Sequence, residues 1–93
     1  MVDDLPFTQT VKDGYYIREF EPDINSEELK WHFDETDRQV TIIKSDGWKF
    51  QFDNKLPFIL YAGDIINIKA NEYHRCIKGN NNLIIKFNNK EEF

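Results

Sequence analysis

The chain consists of short runs in which large apolar residues alternate with polar ones, each closed by turn residues. Such runs suit β-strands with one buried face and are too short for core helices. They fall at residues 15–20, 29–34, 40–44, 48–52, 58–61, 65–69, 73–78 and 83–87. The segment 22–28 allows at most one short helical turn, capped by Asn25 or Ser26. The pattern therefore predicts an all-β fold, an antiparallel barrel of two packed sheets.

Length and charge narrow the class of protein. A chain of 93 residues supports one domain and little more. We therefore expect a single domain over 1–93, with N-terminal strands in 1–24 packing on the barrel or a partner and a frayed tail at 88–93. A net charge of −5 with only three arginines argues against a nucleic-acid partner. No apolar run approaches the roughly 20 residues that cross a bilayer, so no membrane partner is expected.

The cysteine content and the N-terminus indicate the compartment. Cys76 is the only cysteine, which excludes an internal disulfide framework and a cysteine-rich zinc site. Residues 1–10 carry two aspartates and lack the apolar stretch of a secretion signal. The expectation is a soluble cytoplasmic protein.

Two histidines and one carboxylate are the residues most suited to chemistry. His32 and Asp34 lie two residues apart on one predicted strand, so their side chains share a face. His74 follows a Gly63-Asp64 turn and an apolar run. Two imidazoles and a carboxylate form a donor set for one divalent transition metal, such as Fe, Mn, Ni or Zn.

The opposite face of that strand has a consequence for assembly. If His32 and Asp34 point into the barrel, then Leu29, Trp31 and Phe33 point outward. Three such side chains in water would form an apolar patch of the kind that marks an interface. We therefore expect the N-terminal segment, a second sheet or a second subunit to cover them, and a homodimer is one prediction.

From residue 28 to residue 87 the sequence resembles a small single-domain cupin, with a double-stranded β-helix. The family's first motif places a glycine before His-x-His, then a glutamate, then a second glycine. Here His32-Phe33-Asp34 is followed by three residues and Arg38, and after six more residues by Ser45 and then Asp46-Gly47. The histidine-to-aspartate and glutamate-to-arginine changes are the main departures.

The second motif of the family is better kept. It consists of Pro-Gly-Asp, an apolar run, Ile-Pro-x-Gly and a histidine. Here it reads Ala62-Gly63-Asp64, the run 65–68, Lys69-Ala70-Asn71 and His74. By position the resemblance implies four ligands, at residues 32, 34, 38 and 74. The Arg38 guanidinium stays protonated and cannot ligate a metal, so His32, Asp34 and His74 remain.

Arg38 has two interpretations. It either holds the carboxylate or phosphate of an anionic small molecule through its planar fork, or it pairs with Asp34 or Asp37 and neutralises charge in the absence of a metal. The sequence does not choose between them.

Three further residues are candidates near the site. Gln51 lies opposite Trp48 and Phe50 on its strand, and it becomes a ligand-binding residue if the polar face points inward. Tyr73 precedes His74 at the barrel mouth, where it either contacts substrate or is a solvated strand end. Cys76 shares the side of His74 and is either a cavity-lining group or a small buried hydrophobe.

Two functions follow as hypotheses. The first is a small metal-binding cupin that holds one divalent metal and an anionic small molecule, with dioxygenase, isomerase and lyase chemistry left open. The alternative is a metal-free cupin that acts as a non-catalytic ligand-binding or homodimeric interaction domain. No residue is assigned a catalytic role.

Overall fold

Eight strands form two antiparallel sheets in the computed structural model, which describes residues 7–23 and 29–89. The strands are β1 (Phe7–Lys12), β2 (Tyr15–Phe20), β3 (Arg38–Lys44), β4 (Lys49–Phe52), β5 (Phe58–Ile59), β6 (Ile65–Ile68), β7 (His74–Ile77) and β8 (Leu83–Asn89). The larger sheet has the order β1-β2-β8-β3-β6, and the smaller has the order β5-β4-β7. No α-helix occurs in the described ranges, and so none long and apolar enough to cross a bilayer. The all-β prediction is confirmed, while the predicted cap residues Asn25 and Ser26 lie outside the described residues.

The core lies between the two sheets, because alternate side chains of each strand point inward. On β3 the buried residues are Val40 and Ile42, and on β6 they are Ile66 and Ile68. The smaller sheet contributes Phe50, which is 5 % exposed. The aromatic face of β4 therefore points inward, which settles the orientation that the sequence left open.

Residues 29–34 differ from their predicted structure. In place of a regular strand, one isolated bridge joins His32 to His74 at the edge of β7. A single bridge does not impose the regular alternation of a strand. The prediction that three apolar residues share one outer face is therefore wrong. Leu29 packs against the core, while Trp31 and Phe33 are 43 % and 44 % exposed.

Trp31 and Phe33 are in contact with neighbouring side chains but are not covered by them. The Arg75 guanidinium lies 4.9 Å from the centroid of the Trp31 ring. Phe33 meets Tyr73 edge to face, with centroids 5.1 Å apart. Within the described ranges neither residues 7–23 nor a second sheet covers this face, and residues 1–6 lie outside those ranges. Cover by a second subunit stays a prediction.

Candidate metal centre

Strand β7 fixes His74 at the inner end of the site. The residue opens the strand and is only 3 % exposed. Its ring stacks on Phe50, with centroids 5.4 Å apart and planes 20° from parallel. A buried ring between two core elements has little freedom to rotate, so this imidazole is held in one place before any ligand arrives.

The bridge between residues 32 and 74 brings the second imidazole alongside the first. The two residues exchange both backbone hydrogen bonds, at 3.0 and 2.9 Å. Directly opposed residues in an antiparallel pair project their side chains to the same side. The two rings consequently meet edge to face, with centroids 4.4 Å apart. This pairing, rather than strand alternation, is what joins the two histidines.

Both histidines are oriented by main-chain carbonyl groups. His32 Nδ1 lies 2.8 Å from the carbonyl oxygen of Lys30, and His74 Nδ1 lies 2.8 Å from that of Glu72. A carbonyl oxygen only accepts, so each contact places a proton on Nδ1. In the neutral ring Nε2 is then the basic nitrogen, which is the arrangement that carbonyl partners impose on metal-binding histidines.

Asp34 supplies the carboxylate. Its Oδ2 lies 3.4 Å from His74 Nε2, and one ligand atom from each of His32, Asp34 and His74 lies within 4.8 Å of the others. The contact with His74, helped by the charges of Arg38 and the imidazoles, lowers the pKa of Asp34 below its ordinary value although partial burial opposes this. The aspartate therefore stays ionised and available as a ligand at neutral pH.

A loop from the second motif anchors the backbone of Asp34. The Asn71 amide donates to the Asp34 carbonyl oxygen at 2.7 Å, and the Ala70 amide donates to the Asp37 carboxylate at 2.8 Å. Asn71 has φ 66°, in the left-handed region. It occupies a glycine position of the family motif, and asparagine tolerates this backbone better than most residues. Asparagine in place of the motif's glycine therefore preserves the turn that connects the two motifs.

Arg38 stands beside the cluster, at the start of β3. Its Nη2 lies 3.9 Å from Asp34 Oδ1, too far for a hydrogen bond, so the attraction is electrostatic. The guanidinium also lies 5.2 Å from the centroid of the Phe87 ring. Its Nε is buried and finds no hydrogen-bond acceptor among the described residues. The ion pair with Asp34 thus leaves part of the guanidinium unsatisfied.

Gln51 and Tyr73 are not brought to the cavity, whereas Cys76 is. Gln51 follows the inward-pointing Phe50, and its amide accepts from Arg75 Nε at 2.9 Å on the outer face. Tyr73 is 48 % exposed against Phe33. Cys76 lines the cavity on the same side as His74 and packs against the core. Of the predicted ligand-binding residues, only Arg38 reaches the inner face.

An internal cavity of about 50 Å³ opens next to the cluster. Asp34, Arg38 and His74 line one part of it, and apolar side chains of both sheets line most of the rest. A space of this size holds a few water molecules or a few heavy atoms of a ligand. Arg18 of β2 also lines it. Arg18 was not predicted from the sequence, because it lies before both motifs and alternation alone does not identify the inner face of β2.

Structural comparison identifies the fold. No family model and no curated protein matches this chain by sequence. A cupin-like protein from Thermotoga maritima superposes with a TM-score of 0.64 at 21% identity, covering 90% of this chain and 67% of that one. A cupin-2 domain protein from Shewanella frigidimarina gives 0.63 at 15% identity, covering 88% and 79%. The iron(II) form of HppE in complex with substrate gives 0.63 at 10% identity, covering 88% of this chain and 52% of HppE.

These likenesses establish a fold rather than an activity. The chain is a small protein with the cupin fold, as the two sequence motifs predicted. Within that fold, His32, Asp34 and His74 form a cluster whose donor atoms are close enough to share one ion.

Proposed function

We propose that this protein binds one divalent transition metal through His32, Asp34 and His74. The observation that carries the proposal is the pair of Nδ1 contacts to the Lys30 and Glu72 carbonyl oxygens. They leave Nε2 as the basic nitrogen of each ring, and that of His74 lies 3.4 Å from the Asp34 carboxylate. A cation is the natural partner of such electron-pair donors.

The donor set fits such an ion. His74 Nε2 and Asp34 Oδ2 are 3.4 Å apart. Two ligands that each lie about 2.1 Å from a metal at a tetrahedral angle are separated by about 3.4 Å. Two imidazoles and one carboxylate suit Fe(II), Mn, Ni and Zn, and they leave coordination positions open. When bound, such a metal supplies Lewis acidity or dioxygen activation.

The protein's own residues would then bind and orient an anionic small molecule. Arg38 lies at the cavity wall beside Asp34, and its Nε has no acceptor among the described residues. A guanidinium in that position favours a ligand carboxylate or phosphate over a neutral group. HppE, a structural neighbour, was solved with iron(II) and substrate together. That neighbour supports the pairing of metal and small molecule, while the reaction class stays open because fold does not fix chemistry.

A metal-free binding protein is the second candidate. It is favoured by the positions of Arg38 and His74, which lie 3.9 and 3.4 Å from the Asp34 carboxylate. The Arg38 guanidinium would compensate the carboxylate without a metal. In this case the exposed Trp31 and Phe33 would serve a homodimeric interaction.

Metal analysis of untagged protein separates the two. The protein is purified anaerobically and equilibrated with Fe(II), Mn(II), Ni(II) or Zn(II), and bound metal is then measured by mass spectrometry. We expect one equivalent in the natural sequence and strongly reduced binding in Asp34→Asn.

Glu35→Gln is the matched control, because it removes one negative charge from the next residue, which is exposed and outside the cluster. It should keep full metal binding. Absence of binding for all four metals would contradict the metal proposal, as would equal losses in the two variants.

A further inference from the structure

Arg18 places a second positive charge on the wall of the cavity. It lies on β2, where its Cα is paired with Ile85 of β8. Its guanidinium lies 4.3 Å from the centroid of the Phe7 ring and 4.6 Å from that of Phe87, and its Nε donates to Gln9 at 2.6 Å. The two ring contacts and the hydrogen bond to the Gln9 amide hold this side chain in a defined position over the inner face of the sheet.

Arg18 and Arg38 approach the same ring from opposite sides of β8. Phe87 is paired with Tyr16 of β2 and with Val40 of β3. The two arginines lie diagonally to it on those strands, and their guanidinium groups are 4.6 and 5.2 Å from its centroid. Both residues line the one cavity. Two guanidinium groups therefore converge on a shared wall.

The cavity wall carries mostly positive side chains, whereas the whole chain has a negative net charge. The net charge is −5, yet the charged residues that line the cavity within the described ranges are Arg18, Arg38 and Asp34. A ligand anion between the two guanidinium groups would be attracted by both of them. The buried Nε of Arg38, which lacks an acceptor among the described residues, is a donor available to such an anion.

The other residues that line the cavity limit the size and the polarity of a ligand that can enter it. They are almost entirely aliphatic and aromatic, and the space is about 50 Å³. We propose that Arg18 and Arg38 together bind the carboxylate of a short-chain carboxylic acid whose hydrocarbon end enters the apolar part of the cavity. This inference rests on the proposed function for the role of Arg38 and extends it by a second binding residue and a ligand class.

The three arginines of this chain make a direct test practical. In ¹⁵N-labelled protein each guanidinium contributes one Nε–H resonance, and single variants assign them. Butyrate is titrated as the probe, with butyramide as its neutral isostere and inorganic phosphate as a second anion. We expect butyrate to shift the Arg18 and Arg38 resonances and to leave the Arg75 resonance unchanged. Butyramide should shift none of the three appreciably.

Matched variants give the size of the effect. Arg18→Gln and Arg38→Gln should each weaken butyrate binding about tenfold, because each removes charge-assisted hydrogen bonds. Arg75→Gln removes the same charge from the outer face, where the residue stacks on Trp31, and should leave affinity unchanged. Arg18→Lys keeps the charge but loses the planar fork, so it should weaken binding by an intermediate factor.

Several results would overturn the inference. They are equal shifts with butyrate and butyramide, unchanged affinity in Arg18→Gln, and phosphate shifts as large as those of butyrate at equal concentration. If Arg18→Gln does not fold, the butyrate-induced shift of the Arg18 resonance in the natural sequence still tests the proposal.

The titration is run on chelator-treated and on zinc-loaded protein, with metal content measured on the same samples. Binding of butyrate by protein that takes up none of Fe(II), Mn(II), Ni(II) and Zn(II) would contradict the metal proposal and support the arginine pair. Metal uptake without selective butyrate binding would do the reverse.

Discussion

The two histidines of the cluster are held in different ways. His74 belongs to a regular strand, is 3 % exposed and stacks on Phe50. His32 lies on a segment that contacts β7 through one isolated bridge. One imidazole is therefore part of the core, while the other belongs to a half-buried segment and is oriented by the Lys30 carbonyl and the His74 ring. The cluster combines a histidine of a regular strand with one that lies outside any strand.

Metal affinity is the property in which the two histidines should behave alike. His32→Ala and His74→Ala should each weaken zinc binding by about a hundredfold or more, because each removes one of three ligands. Competition titration against a chromophoric chelator measures this. Retention of full affinity by either variant would remove that histidine from the metal site.

Stability should separate the same two variants. In metal-free protein, His74→Ala should lower the free energy of unfolding by about 2–3 kcal/mol, since it leaves a void against Phe50. His32→Ala should cost less than about 1 kcal/mol, because His32 is only partly buried and lies outside any strand. Urea unfolding monitored by tryptophan fluorescence provides the measurement. Equal losses would show that both rings are equally part of the core.

The turn at Asn71 tests whether the second motif positions the first. Asn71→Val should lower stability by about 1–2 kcal/mol, because a β-branched residue is strained at positive φ. It should also weaken metal binding, since the Asn71 amide holds the Asp34 backbone. Asn71→Gly should leave both unchanged.

Asn54 offers a matched control for this effect. It has φ 62° in the turn that follows β4, outside the cluster. Asn54→Val should therefore lose similar stability and keep its metal affinity. A loss of metal affinity in Asn54→Val would point to general destabilisation instead.

The smallest expected effect is on acid sensitivity. The pKa of Asp34 is lowered in the folded protein and returns to its ordinary value in the unfolded chain. Its ionised form therefore stabilises the metal-free fold above that ordinary value, and the contribution is lost as the pH falls toward the folded pKa. Asp34→Asn should flatten the decline of the unfolding free energy below about pH 4. Glu35→Gln should follow the natural sequence, and an unchanged slope in Asp34→Asn would contradict the expectation.

The sequence predicted most of the fold because local alternation and turn chemistry agree with the tertiary arrangement. The run 15–20 corresponds to β2 (Tyr15–Phe20), and the run 48–52 contains β4 (Lys49–Phe52) with Phe50 inward. The same reasoning was wrong at residues 29–34. There an alternating pattern coincides with a segment that pairs at one residue only, so periodicity was present without a continuous ladder.

The candidate site was predictable in its members but not in its organisation. The motif positions of His32, Asp34 and His74 suggested that they meet, and their donor atoms do lie close together. Gln51 lies on the outer face and Tyr73 at the surface, since strand periodicity defines two faces without saying which is buried. Their roles as ligand-binding residues stay predictions that no contact with the cavity supports.

The sequence by itself determined most of the strands, the antiparallel class and the identity of the three donor residues, because these depend on residue type and spacing along the chain. Only the tertiary structure decided which nitrogen of each ring contacts a main-chain carbonyl, and that Arg18 and Arg38 share the Phe87 ring. Carbonyl groups of Lys30 and Glu72 orient the rings, and cross-strand register brings the arginines together. Such contacts join residues through the main chain and across sheets, and so they leave no signature in local sequence.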